Sequence, residues 1–326
     1  MKALVYDNVE TLVYRYMPDP VPAFGQSLIK IEASGICGSD MHAYLGHDER
    51  RPAPLILGHE AAGVVVGGEM DGKRVTINPL TTCGTCAACK AGRDNLCADR
   101  MIISMPPREG AFGEFVIMAN RNLVEVPEDV PFEKAALAEP LACGWHAVRL
   151  GAAALDLPLA DARCVVIGGG AIGLGAALCL MAFGATDIQV VEPNAVRRAT
   201  LDKIAGFAAV EPGTVKQADL VIDGVGYAAT RADATAITRP GGVIMHIGLG
   251  EGAGGLDIRR MTLQEITFIG TYTYTAQDFR DTAAAIFDGR LGALDWTEVR
   301  PLSEGGQAFA DIRAGVVAAP KIILRP

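Results

Sequence analysis

The chain has 326 residues, half of them hydrophobic and about a fifth charged, more than one core usually absorbs and ordinary in composition for a soluble two-domain protein. Asp and Glu outnumber Lys and Arg by 38 to 29, for a formal charge of −9, and no basic cluster reverses that balance, which excludes the footprint of nucleic-acid binding. The longest apolar stretch, residues 171–183, is too short and glycine-broken to cross a bilayer, and Met1 to Asp7 reads as a strand without the apolar region of a secretory signal, so a cytoplasmic protein is expected.

The first 130 residues read as β-rich and full of turns. Residues 27–33 alternate apolar and polar, residues 61–66 form a short apolar run, and residues 115–118 and 123–126 add further strands. Around Pro131 the texture turns helical, over residues 132–137 and 140–150, with Pro140 suited to a first turn. From Cys164 strands and helices alternate. Strands are expected at 164–167, 188–191, 208–210, 220–223, 243–247 and 266–269, with helices at 171–183, 196–204 and 231–237 between them. That pattern predicts a doubly wound parallel sheet. A helix over residues 276–288 follows, and the tail from Lys321 to Leu324 is expected to pair back with the N-terminal β domain.

Gly168-Gly169-Gly170-Ala171-Ile172-Gly173 matches G-x-G-x-x-G at Gly168, Gly170 and Gly173. The pattern alone is weak, but it follows a buried strand and opens a helix, so the backbone N–H groups through Ile172 would meet a pyrophosphate. The next strand ends at Glu192, where a carboxylate would accept hydrogen bonds from an adenosine ribose and repel a 2′-phosphate. NAD is therefore favoured, while Arg197 and Arg198 keep NADP open.

Of eight cysteines, Cys83, Cys86, Cys89 and Cys97 cluster, whereas Cys37, Cys143, Cys164 and Cys179 stand apart. In a reducing compartment they are thiols, ligands or core residues rather than disulfides. The clustered four, spaced x2, x2 and x7, supply a closed tetrahedral zinc site. A ferredoxin-type iron–sulfur run would need a closer fourth Cys followed by Pro, and Cys97 precedes Ala98. A dispersed set comprises Cys37 with Ser39, Asp40 and His42, then His59-Glu60, then Glu139. Thiolate, imidazole and carboxylate near strand ends suit a catalytic zinc with an open position, although a histidine beside a glycine-rich strand is as often a core residue.

These motifs, in this order, resemble the zinc-containing medium-chain alcohol dehydrogenases, and among them the sorbitol and threonine dehydrogenase branch. The resemblance rests on Gly35-Ile36-Cys37-Gly38-Ser39-Asp40, Gly58-His59-Glu60, the four-cysteine lobe, Glu139-Pro140-Leu141 and the Gly168 turn, and spans nearly the whole chain. It implies a GroES-like β domain over residues 1–143, rejoined by 286–326, and a Rossmann domain over 144–285. It further implies two zincs per chain and NAD. Cys37, His59 and Glu60 would hold the catalytic zinc, with Glu139 contributing directly or through water, and Asp40 would orient His59. Ser39 and His42 would relay the alcohol proton to solvent while hydride passes to the nicotinamide. Cys143 would be a pocket thiol. The small-molecule substrate would be a polyol, sugar alcohol or sugar acid, and the assembly a homodimer or homotetramer joined through residues 266–274.

Two departures stand out. Where sorbitol dehydrogenases resemble one another in a Phe-Arg-Tyr segment, this chain has Tyr272-Thr273-Tyr274, which weighs against sorbitol itself. Both tyrosines suit a substrate pocket or sheet packing equally. The segment over residues 67–75 is also short. A threonine 3-dehydrogenase-like or simple secondary-alcohol enzyme is the alternative, and a non-catalytic NAD-binding regulator is the reading from another class.

Overall fold

The strand Gln26–Gly35 shows how the β-rich part is built: Ile29, Ile31 and Ala33 are buried while Lys30 faces solvent, the alternation of a sheet with one covered face. The computed structural model describes residues 1–326, which divide into two compact units. One holds Met1–Glu139, Thr275–Gly289 and Leu294–Pro326; the other holds Pro140–Tyr274 and Arg290–Ala293.

In the first unit Gln26–Gly35 pairs antiparallel with Glu60–Val66, Phe115–Ala119 and the terminal strand Lys321–Arg325. Lys321–Arg325 in turn runs parallel to Thr297–Pro301. Two apolar clusters fill the unit. One is built around Ile29, Val75 and Met118, the other around Leu4, Phe112 and Phe309. The helix Ala276–Phe287 belongs to this unit, whereas the sequence places residues up to 285 with the nucleotide-binding part. Its first N–H, on Ala276, is held by the Asp94 carboxylate at 3.1 Å.

The second unit contains six parallel strands in the order Ala208–Val210, Asp187–Val191, Arg163–Ile167, Ala218–Asp223, Thr238–His246, Thr267–Gly270. The order reverses between Arg163–Ile167 and Ala218–Asp223, so their C-terminal ends form the switch point at which open α/β sheets bind ligands. All six residues of Ala218–Asp223 are buried, as a parallel strand covered on both faces requires. The helix Ala171–Ala182 is buried over most of its circumference. Thr238–His246 starts earlier than its apolar run suggests because Thr238 pairs with Ala218 before the register shifts. Thr267–Gly270 is one edge of the sheet and Ala208–Val210 the other.

Within this sheet the buried Asp219, in Ala218–Asp223, accepts hydrogen bonds from Arg163 Nε at 3.0 Å and Arg239 Nε at 2.5 Å. Burial alone would raise its pKa, but the Arg163 guanidinium and backbone N–H together with the Arg239 guanidinium outweigh it and hold the carboxyl at about 2. Its folded value lies below the unfolded one, so its stabilisation is present above pH ~4 and disappears as pH falls toward ~2. That contribution is about 2 kcal/mol. The melting temperature of Asp219→Asn should accordingly lie below the native one at pH 6 and converge with it near pH 2. A gap of constant size across that range would remove the linkage.

Candidate active site

Cys37 stands at the end of the strand Gln26–Gly35, immediately before the helix Gly38–Tyr44. His59 and Glu60 sit at the start of the neighbouring strand. Gly35 and Glu60 are cross-strand partners, which brings the three candidate ligands together: donor atoms of Cys37, His59 and Glu60 all lie within 4.8 Å of one another. A Cβ on Gly35 would fall 2.1 Å from Glu60 Oε2, so any larger residue there would displace that carboxylate.

Asp40 is fully buried and organises the group. Its Oδ2 accepts the Cys37 N–H at 3.0 Å, and its Oδ1 accepts the Gly58 N–H at 3.2 Å and lies 3.4 Å from His59 Nδ1. Ser104 Oγ is also 3.4 Å from Nδ1, leaving Nε2 as the nitrogen free for a ligand role. Burial pulls the His59 pKa down, but Asp40 and Cys37 raise it well above the ordinary value. Burial likewise favours the neutral form of Asp40, and His59 with Arg51 outweighs it, lowering that carboxyl. Arg51, itself buried, ties the two sides together by donating to Ser104 O and Ser39 O, both at 3.0 Å.

Ser39 and His42 lie one turn apart on the helix Gly38–Tyr44, with His42 exposed and its ring 6.4 Å from that of His47. Glu139 is buried in the first turn of Ala138–Ala154. It stands outside the compact ligand group, though its charge reaches Lys321. Tyr274 is buried, and Tyr272 and Cys143 are half-buried. Sequence reasoning missed Arg51, Ser104 and Lys321. Only Lys321 left a signal, as a charge set directly before the apolar run Ile322-Ile323-Leu324.

The four clustered cysteines converge as well. Cys97 Sγ lies 3.5 Å and Cys89 Sγ 3.9 Å from Cys83 Sγ. A disulfide would bring sulfurs to about 2.05 Å, whereas a tetrahedron of ~2.3 Å zinc–sulfur bonds has edges of about 3.8 Å. The backbone N–H groups of Thr85 and Cys86 donate to Cys83 Sγ and lower that thiol to about 6. Gly84 and Gly92, at φ +74° and +69°, make the left-handed turns that fold the lobe.

In the second unit Gly168 (φ +98°) turns the chain out of Arg163–Ile167. The helix Ala171–Ala182 begins with Gly170 as its cap and no side-chain cap. A Cβ on Gly170 would meet nothing within 4 Å, so the turn is open at that position. Glu192, at the end of the next strand, accepts the Gly169 N–H at 2.8 Å, the Asn194 N–H at 2.9 Å and Arg197 Nη1 at 3.2 Å.

Comparison with known proteins fits this geometry. Residues 24–128 match the alcohol dehydrogenase GroES-like domain and residues 171–288 the zinc-binding dehydrogenase family. Sorbitol dehydrogenase of Bacillus subtilis is 32% identical over 84% of this chain and 82% of its own length. The chain belongs to the zinc-containing medium-chain alcohol dehydrogenases. Another relative in this family, 2-dehydro-3-deoxy-L-galactonate 5-dehydrogenase of Pseudoalteromonas atlantica, is 31% identical over 89% of both chains. A zinc-binding dehydrogenase structure from Sinorhizobium meliloti, solved with NADP, superposes with a TM-score of 0.89 at 28% identity over 100% of this chain and 99% of that one.

As a member of this dehydrogenase family, the chain has donors that fit both metals: four soft thiols in one lobe, and a thiol, an imidazole and a carboxylate with an unpartnered buried oxygen, Glu60 Oε2, in the other. Its glycine turn allows a sharp test. A Cβ on Gly173 would lie 1.8 Å from Gly168 O, a backbone atom that cannot yield cheaply. Overpacking of this kind costs about 1–3 kcal/mol, so Gly173→Ala should weaken NADH binding about ten- to a hundredfold with metal content unchanged. Titration by NADH fluorescence checks it; native affinity in the variant would mean the turn does not bind the cofactor.

Proposed function

We propose that the protein oxidises a secondary alcohol of a polyol, sugar alcohol or sugar acid to the ketone with NAD as hydride acceptor. The observation that carries this reading is the group of half-buried Cys37 with buried His59 and Glu60, with Asp40 behind His59 and one Glu60 oxygen unpartnered. The family and its relatives, sorbitol and galactonate-type dehydrogenases, support the substrate class.

In this reading Cys37, His59 and Glu60 would hold the catalytic zinc, with Glu139 contributing directly or through water, and the metal would supply the Lewis acidity that lowers the pKa of a substrate hydroxyl. Asp40 keeps the His59 ring oriented through Nδ1. Ser39 accepts the hydroxyl proton and His42, exposed on the same helix, delivers it to solvent. Cys83, Cys86, Cys89 and Cys97 hold a structural zinc. Gly168, Gly170, Ile172 and Gly173 bind the pyrophosphate at the helix N-terminus, and Glu192 binds the adenosine ribose. NAD is preferred over NADP because Glu192 places a carboxylate at that strand end, and the nearby Arg197 guanidinium is already engaged by it. The unit that holds Met1–Glu139, Thr275–Gly289 and Leu294–Pro326 acts as the catalytic domain, and the unit that holds Pro140–Tyr274 as the nucleotide-binding domain. Two or four cytoplasmic copies associate through the edge strand Thr267–Gly270.

The test is a panel of polyols, sugar acids, threonine and simple secondary alcohols with NAD or NADP, read by reduced-cofactor absorbance with and without a zinc chelator. A chelator-sensitive signal on polyols or sugar acids with NAD is expected. A signal confined to threonine or simple alcohols would transfer the protein to the neighbouring branch. Silence from protein that binds both zinc and NAD would point to the non-catalytic alternative.

A further inference from the structure

A buried cation lies against the ligand group and has no part in the chemistry described above. Lys321 opens the terminal strand Lys321–Arg325 and is 4% exposed, while Glu60 is fully buried. Lys321 Nζ lies 2.6 Å from Glu60 Oε1 and donates to Ile36 O at 2.9 Å, the carbonyl directly before Cys37. The other Glu60 oxygen, Oε2, has no hydrogen-bond partner and occupies the space that the missing Gly35 side chain leaves. The two oxygens of one carboxylate therefore face different environments, one anchored by an ammonium group and one bare.

We infer that Lys321 is a positioning residue that holds Glu60 through Oε1, so that the carboxylate offers the metal a single oxygen and a coordination position stays open for substrate. The inference rests on the metal-site reading under Proposed function. A carboxylate can bind a metal through one oxygen or two, and a buried charged oxygen must find a partner. With Lys321 present, Oε1 has that partner. With Lys321 replaced by an apolar residue of similar length, the metal becomes the nearest remaining cation, and Glu60 closes on it with both oxygens. The chain ladder supports the anchor: Ile36 N–H donates to Ile322 O at 3.0 Å, so Lys321 is fixed to the same backbone that carries Cys37.

The test uses full-length protein loaded with cobalt(II) in place of zinc, whose visible bands weaken as coordination number rises. The four-cysteine contribution is common to all variants and cancels in difference spectra. Lys321→Met is expected to retain metal, to show weaker bands from the Cys37 site, and to lose turnover by about tenfold or more. On a Glu60→Gln background the same change should alter spectrum and turnover by less than about twofold, because the lysine acts through that carboxylate. Lys321→Gln, which keeps a donor within the pocket, serves if the methionine variant does not fold, and should give the same shift in smaller measure. A native spectrum and native turnover in these variants overturn the inference, as does an equal effect with and without Glu60, which would mark Lys321 as packing alone. If unaltered protein takes up cobalt only at the four cysteines, the metal-site reading itself fails and the inference goes with it.

Discussion

Cys37→Ala should leave the protein with zinc only at its four-cysteine lobe and lower kcat/KM about a thousandfold or more. A thousandfold loss corresponds to about 4 kcal/mol of transition-state stabilisation, a reasonable share for a Lewis acid acting on an oxygen that must give up its proton. Cys37 is chosen because it does two separable things. Its sulfur joins His59 and Glu60 in the ligand group, whereas its backbone N–H is already satisfied by Asp40. Alanine removes the first and keeps the second, so the helix Gly38–Tyr44 should retain its start. NADH binding should be unchanged, because the glycine turn at Gly168 lies in the other compact unit. The measurement pairs metal analysis with steady-state kinetics and an NADH titration. Native turnover with one zinc per chain would show that the Cys37 group is not the catalytic centre.

A second variant with a large expected effect is Cys97→Ser, and its readout is structural. Among residues 82–100 only Asn95 and Cys97 are buried, so the lobe has almost no apolar interior, and its side-chain cohesion comes from the sulfur group and what that group binds. Zinc binding by such closed four-ligand sites supplies folding free energy outright, on the order of 10 kcal/mol in small domains. Serine offers a harder, less acidic ligand and removes one corner of the tetrahedron. The variant should lose its lobe metal and become sensitive to trypsin at Lys90, Arg93 and Arg100, all exposed. Proteolysis followed by mass analysis reads this directly. The Asp94 contact to Ala276 should be lost as well, lowering the melting temperature of the unit. A lobe that resists trypsin after losing its metal would refute the structural role.

Much of this protein was legible before any coordinates. The parallel strands announced themselves as short apolar runs, most clearly at the sheet centre where both faces are covered, and five of the six lie close to where those runs placed them. The sixth, Thr238–His246, begins five residues before its apolar run, because Thr238 joins the ladder before a register shift that hydrophobicity does not encode. The four-cysteine lobe was equally plain, since ligand spacing within one loop is a local property. The glycine turn was legible because its three glycines answer three local demands: a left-handed φ at Gly168, an open approach at Gly170 and close helix–strand contact at Gly173.

The catalytic group was legible only as separate pieces. Cys37, His59 and Glu60 come from two strands, and it is the antiparallel register of Gly35 with Glu60 that joins them. Family resemblance anticipated that meeting; residue spacing alone did not. The long-range partners escaped altogether. Lys321 reaches Glu60 across 261 positions, and Arg51 reaches Ser104 across 53. A charge buried by tertiary packing looks, in sequence, like any solvated lysine or arginine. The sequence by itself determined the fold class, the four-cysteine lobe and the glycine turn, because each depends on neighbours along the chain. Which carboxylate stands among the ligands, and which cation restrains it, was decided only when distant strands paired, because burial and partnership are properties of the folded core.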